Sequence, residues 1–263
     1  MKKMVQMALT PLRVVEHRVV NFGTAHAFGR AQCEDGKYYI VKRGGIEHHL
    51  CATEYFCHSM ADLLNLPIHQ YKPLMMPDGE LVFGSTEQDP VLNELLAYRL
   101  ITEGNNNQYK IENFKEIYSA TLAFDLVIAN KDRHANNFLL KENPNSSSDT
   151  TTSTSVSLID FGSAQIFTEP ATSFPLNIEK QSNTIRLADK LRGAHGFSDN
   201  AAERVLRTID QSSEFLAERA FFGMPEEWFD PVDREQFLEN VKGGLLKRQV
   251  EFVRNGMENG VFL

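Results

Sequence analysis

Two short polar strings in fixed order constrain this chain more than any other feature. The first is Asn130-Lys131-Asp132-Arg133-His134-Ala135-Asn136-Asn137, and the second is Asp160-Phe161-Gly162, which follows the apolar pair Leu158-Ile159. A helix is expected before the first string, because Phe114, Ile117, Tyr118, Leu122 and Ile128 recur at helical spacing over 113–129. Between the strings lie two apolar runs, Phe138–Leu140 and Val156–Ile159, which read as a hairpin. Asp132 and Asp160 stand 28 residues apart, and such a hairpin brings the two carboxylates together. The stretch Asn143–Ser155 is almost all Ser, Thr, Asn and Asp, so it cannot bury a core and reads as a surface loop. Asn and Asp favour turns by themselves. The ordered pair, with a helix before it, is more specific than either string alone.

That pair suits phosphoryl transfer, which needs few protein groups: a carboxylate near the acceptor hydroxyl, an oxygen ligand and a carboxylate for Mg²⁺, and a cation on the phosphates. Asp132 is placed as the first carboxylate, and Asn137 follows it at the offset found in protein-kinase catalytic loops. Asp160 supplies the metal carboxylate. The cation is expected upstream at Lys42, which ends the run Tyr39-Ile40-Val41-Lys42. Glu54 is placed to pair with it from the following helix, with Glu47 a competitor by spacing. Gly23 and Gly29 bracket a turn whose backbone N–H groups suit phosphate oxygens; an ordinary hairpin is the alternative.

The first ninety residues read as strands with one helix. Strands are expected at Val14–Phe22, Tyr38–Val41, Ile68–Leu74 and Glu80–Phe83, with Asp35-Gly36 and Pro77-Asp78-Gly79 as turns. The helix spans 50–65. Beyond residue 87 the chain reads mostly helical. A helix is expected from Asp89 as cap and Pro90 as first residue, with others around 200–222 and 231–254. The predicted fold is α+β with two lobes, a small strand-rich one at 1–86 and a larger helical one at 87–263. A ligand cleft is expected between them.

The net charge of −8, from 27 basic and 35 acidic residues, disfavours nonspecific nucleic-acid binding. Cys33, Cys51 and Cys57 are too few for a disulfide framework and favour a reducing compartment. The segment after Lys2 and Lys3 is broken by Gln6, Pro11 and Arg13, a poor signal-peptide core. No window approaches ~18 apolar residues, so no membrane span is expected. A cytoplasmic location follows as the expectation.

The chain resembles the HipA-like kinases, of the small kind without a long N-terminal extension. The resemblance rests on the Gly23–Gly29 turn, Tyr39–Lys42, Glu54-Tyr55-Phe56-Cys57, Leu66-Pro67, Pro77-Asp78-Gly79 with Leu81–Ser85, Asn130–Asn137 and Ile159–Gly162. It covers about residues 20–165. The Asp132-Arg133-His134 string is also similar to that of phosphoinositide kinases. The resemblance implies ATP and Mg²⁺ as cofactors, a protein Ser/Thr substrate, and often a toxin held by an antitoxin-like partner. It makes Asp132 the catalytic base, Asn137 and Asp160 the metal ligands and Lys42 the phosphate-binding lysine. It brings Leu81–Thr86, and with them Phe83, Gly84 and Ser85, to the adenine. The long polar loop and the lack of a clear regulatory Ser-containing loop depart from the family pattern. A lipid or small-molecule kinase and a non-catalytic nucleotide-binding module are the alternatives.

Other residues read more blandly. His48, His49, Cys51, Cys57 and His58 cluster near one helix, but none of the usual zinc spacings is present. His134 contacts the transferring phosphate or is structural. Asp125 reads as a buried anchor for loop backbone. Trp228 is expected to pack within the helical lobe. The Ser/Thr tract reads as a solvated loop, with regulatory phosphorylation the lesser reading.

Overall fold

A computed structural model describes residues 10–20, 27–44, 49–87, 92–143 and 151–262. Strands β1 (Leu12–Arg18), β2 (Ala27–Cys33), β3 (Tyr38–Lys42), β4 (Tyr71–Met75) and β5 (Leu81–Thr86) close into a barrel in the order β1-β2-β3-β5-β4. The turns have local causes. Gly36 takes φ +75° between β2 and β3, and Asp35 accepts from the Lys37 N–H and the Tyr39 hydroxyl at 3.1 and 2.8 Å. Gly79, at φ +88°, turns β4 into β5. Closure comes from a parallel pairing of β1 on β4, Leu12 opposite Leu74. Inward residues including Val14, Ala31, Cys33, Tyr39, Val41 and Leu74 form a small core of their own.

Helix α1 (Leu50–Leu63) crosses from β3 to β4. Its sequence shows one apolar stripe, yet Leu50 through Ala61 are all buried, Glu54 and His58 among them. A helix buried all round lies inside a protein. This one packs between the barrel strands β4 and β5 and the helix α5 (Asp199–Ala220). The larger core therefore runs from Phe56 and Phe83 through Phe124, Leu126 and Phe161 to Leu216 and Val253.

The remaining helices are α2 (Glu94–Glu103), α3 (Phe114–Val127), α4 (Asn183–His195), α6 (Pro231–Lys242) and α7 (Leu245–Glu258). The α+β class holds, with the strand-rich part first. The stretch 231–254 holds two helices, giving three with α5 where two or three are expected, because Gly243-Gly244 interrupts it and Gly244 takes φ +86°. Helix α2 begins later than expected: Asn93 caps it, accepting from the Leu95 N–H at 3.0 Å. Asp89 and Pro90 lie outside the described residues, as do Gly23, Glu47 and His48.

The hairpin after α3 consists of β7 (Phe138–Glu142) and β8 (Thr152–Leu158). A third strand, β6 (Tyr109–Ile111), pairs parallel to β8. The polar tract thus corrects to a shorter loop, since Thr152–Ser155 belong to β8. Ser153 and Thr154 are buried, and the Thr154 hydroxyl donates to the Lys110 carbonyl at 3.2 Å. A strand that bonds its hydroxyls to its neighbour can be polar and interior.

Trp228 also corrects the expectation. It does not pack within the helical part alone: its indole N–H donates to the Leu81 carbonyl of β5 at 2.9 Å, fastening the helices to the barrel.

Candidate active site

Lys42 ends β3 opposite Phe83 of β5, and this register turns its side chain toward α1. There its ammonium meets two carboxylates: Glu54 Oε1 at 2.5 Å and Asp160 Oδ1 at 2.6 Å. The other Glu54 oxygen accepts the Phe161 N–H at 3.2 Å. One side chain of α1 therefore ties the barrel lysine to the loop after β8. Three charged groups leave one excess negative charge in a buried place. Burial disfavours the charge on Lys42, but the two carboxylates outweigh it and hold the lysine above its usual value. Burial pushes Glu54 up to about 7, against the pull of Lys42. Burial also opposes the charge on Asp160, yet the attraction of Lys42 and its hydrogen bond keep that carboxyl well below the usual range.

Phe161 is locked in place. Its ring packs on His58 at 4.8 Å and Phe124 at 5.7 Å, and the Arg133 guanidinium lies 4.6 Å over its face. Asp160 itself takes φ +62°, a left-handed conformation that a non-glycine residue adopts at a cost.

The loop 130–137 is braced from three sides. Helix α3 ends as Ala129 takes φ +51°, which turns the chain into the loop. Asp125, wholly buried on α3, accepts from Arg133 Nε and a terminal nitrogen at 2.8 and 2.9 Å and from Asn130 Nδ2 at 2.8 Å. Asp125 is thus a buried loop anchor as the sequence suggests, but its carboxylate holds loop side chains rather than loop backbone. Arg133 also donates to the Ile159 carbonyl at 2.5 Å, which joins the two loops. From α4, the Thr184 hydroxyl donates to the Asn130 carbonyl at 2.6 Å and accepts the Arg133 N–H at 2.9 Å. Its neighbour Asn183 donates to Asp132 Oδ1 at 2.5 Å.

Asn183 and Thr184 brace the candidate site, and sequence reading missed them. A cue was present: Ser182 caps α4, its hydroxyl accepting from the Ile185 N–H at 3.3 Å, ahead of Ile185, Leu187, Ala188 and Leu191 on the buried face.

Asn137 and Asp160 converge because the Ile159 N–H donates to the Asn137 carbonyl at 3.1 Å, extending the β7–β8 ladder. Asn137 Oδ1 accepts the His134 N–H at 2.9 Å and keeps a second lone pair. Asp160 gives one oxygen to Lys42, and its side chain stays 22% exposed. This oxygen-only pair fits Mg²⁺, which takes one or two protein oxygens and completes its shell with phosphate and water. Among the described residues no group of three His, Cys, Asp or Glu could form an all-protein cage.

Other expected positions fall differently. Gly29 lies within β2, and a Cβ there would strike the Arg18 carbonyl and, at 2.6 Å, the His17 ring, so close strand packing requires glycine. The Phe83 ring is wholly buried against His58 at 5.0 Å. A Cβ on Gly84 would meet the Leu74 side chain. Strand β5, with Phe83, Gly84 and Ser85, is hydrogen-bonded on both edges, to β3 and β4. Its backbone is thus engaged. Cys51, Cys57 and His58 are buried on α1, and burial lowers His58 to about 3, which keeps its imidazole neutral.

No helix among the described residues is long and apolar enough to cross a membrane. A search of curated proteins finds no match. Among solved structures, the Helicobacter pylori proinflammatory kinase CtkA is similar in fold, with 13% identity, 91% of this chain and 95% of CtkA covered, and a TM-score of 0.54. HipA of Shewanella oneidensis MR-1, solved with HipB and its operator DNA, is 13% identical; 83% of this chain and 60% of HipA are covered, with a TM-score of 0.49. At such identity the likeness to CtkA speaks for the fold alone. The sequence itself matches the HipA-like kinase family over residues 15–242, most of its length, and the chain belongs to that family.

Proposed function

We propose that this chain transfers the γ-phosphoryl group of ATP to a Ser or Thr hydroxyl of a protein, with Mg²⁺. The observation that carries the reading is the Lys42 ammonium held between Glu54 and Asp160 at 2.5 and 2.6 Å, next to the braced loop of Asp132. Bound Mg²⁺-ATP supplies the phosphoryl group and neutralises part of its charge. Asn137 and Asp160 are the residues to hold the metal. Lys42 places a fixed cation on the phosphates, and Glu54 keeps that cation from swinging away. Asp132 accepts the proton of the acceptor hydroxyl as its oxygen attacks, and Asn183 orients Asp132 for that task. Arg133 stays structural, its guanidinium spent on Asp125 and the Ile159 carbonyl.

The test is γ-labelled ATP with Mg²⁺, given to wild type and Asp132→Asn with lysate protein as acceptor. Label transferred to protein by wild type and lost in the variant supports the reading. Transfer only to lipid in liposomes makes the chain a lipid kinase. ATP binding without any transfer leaves a nucleotide-binding module.

A further inference from the structure

One face beside Asp132 carries charge and apolar surface that phosphoryl transfer does not use. Asn183, Arg186 and Lys190 fall at i, i+3 and i+7 of α4, so one edge of the helix presents all three. That edge starts at the catalytic carboxylate, where Asn183 bonds Asp132. It ends against α2, where Lys190 Nζ meets the Tyr98 hydroxyl at 3.3 Å and stands 5.0 Å over its ring. Helix α2 is in turn bound to the catalytic loop, since Asn136 donates to Glu94 at 3.0 Å. On α2, Leu95 is 61% exposed and Tyr98 42%. The loop, the α4 edge and α2 thus form one joined surface beside Asp132.

That surface is basic along its α4 edge. Lys131, Arg186 and Lys190 are exposed, and none of them takes part in an ion pair among the described residues. Glu94 accepts from the neutral Asn136 amide and stays an anion on the α2 side, away from the α4 edge that carries Arg186 and Lys190. Asp189 precedes Lys190 and so sits about 100° round the helix from it. The chain as a whole carries a charge of −8, so cations gathered here run against its overall field.

We infer that this surface binds an acidic segment of the protein substrate. The inference rests on the kinase reading above and names the substrate class for the same site. Seven residues of helix rise about 10 Å, which an extended peptide spans in about three residues. A carboxylate about three residues from the phosphoacceptor therefore reaches Arg186 and Lys190, and an apolar side chain nearby rests on Leu95 and Tyr98. The cations attract the segment and set its register.

The experiment uses short fluorescein-labelled peptides with a central Ser and Glu, Lys or Ala flanks, and the full chain as wild type, R186E/K190E and, as a control on α7, K247E/R248E. Binding is read by anisotropy, and transfer by label from γ-labelled ATP. The Glu-flanked peptide is expected to bind wild type and the control alike, and more weakly as salt is raised. R186E/K190E is expected to lose about tenfold in affinity and gain as much in KM, with kcat and ATP binding unchanged. Equal binding of the Glu peptide by wild type and R186E/K190E overturns the proposal, as does preference for Lys or Ala flanks. Capture on phosphatidylserine vesicles that depends on Arg186 and Lys190, without acidic-peptide binding, overturns it in favour of a membrane surface. Loss of ATP binding and of all transfer in wild type is a different failure and removes the kinase reading itself.

Discussion

The side-chain amide of Asn183 donates to Oδ1 of Asp132 at 2.5 Å, reaching from the first residue of α4 to a loop 51 positions earlier in the chain. One carboxylate oxygen is fixed, and under the proposed kinase reading the other is the one to meet an acceptor hydroxyl. Asn183→Ala is expected to lower kcat by roughly tenfold to a hundredfold with KM for ATP little changed, because only orientation is lost. Steady-state kinetics at saturating ATP check this. Unaltered kcat would remove Asn183 from the site.

Lys42→Met deletes the cation between two carboxylates. Transfer should fall by about 10³-fold or more, since the phosphates lose their fixed charge. Stability should fall as well, by about 3–5 kcal/mol, because Glu54 stays buried without its partner. The double variant Lys42→Met/Glu54→Gln should recover most of the stability and none of the activity. Urea titration beside the transfer assay separates the two effects.

Acidity should act through Glu54. Its folded pKa of about 7 lies above its ordinary 4.5, so the folded chain binds this proton more tightly than the unfolded chain does. The stabilisation is complete below about pH 4.5 and is lost as pH rises through about 7, up to roughly 3 kcal/mol in all. Asp160, held low, has the opposite sign: its contribution is present above its ordinary 3.8 and disappears only in stronger acid. Urea midpoints from pH 5 to 8 should therefore decline in wild type and stay flatter in Glu54→Gln. The Lys42–Glu54 ion pair needs the ionised carboxylate, so kcat/KM should rise through the same window in wild type, and this limb should vanish in Glu54→Gln.

Asp125 accepts three hydrogen bonds and is the sole carboxylate paired with Arg133 among the described residues. Asp125→Ala strands a buried guanidinium and should cost about 3–5 kcal/mol in urea titration. Arg133→Met in the same chain should return part of that loss, as the charge then disappears with its partner.

The candidate site residues were legible because each sits in a short local pattern. Lys42 closes a strand, Glu54 lies on the next helix, and Asp132, Asn137 and Asp160 belong to two compact strings. The partners that hold them were not legible. Asn183 and Thr184 reach Asp132 and Asn130 from 51 and 54 positions along the chain, and no spacing rule links α4 to that loop. The first half of strand β8 was hidden by composition, since Ser153 and Thr154 are polar yet buried against β6. Helix α1 shows a single apolar stripe in sequence, yet its polar Glu54 and His58 are buried as well. Their burial is explained only by Lys42, Phe161 and Phe83, which arrive from other elements.

The division of the interior into a barrel core and a larger one gives the chain three built-in stopwatches. Cys33 lies in the first core, and Cys51 and Cys57 lie in the second. Burial is the main cause that pushes Cys33 up to about 12 and Cys51 up to about 11, and it raises Cys57 well beyond a normal thiol. None of them forms the reactive thiolate while its own core is closed. The speed at which a thiol reagent reaches Cys33 therefore times the opening of the barrel, and the speed at which it reaches Cys51 and Cys57 times the withdrawal of α1.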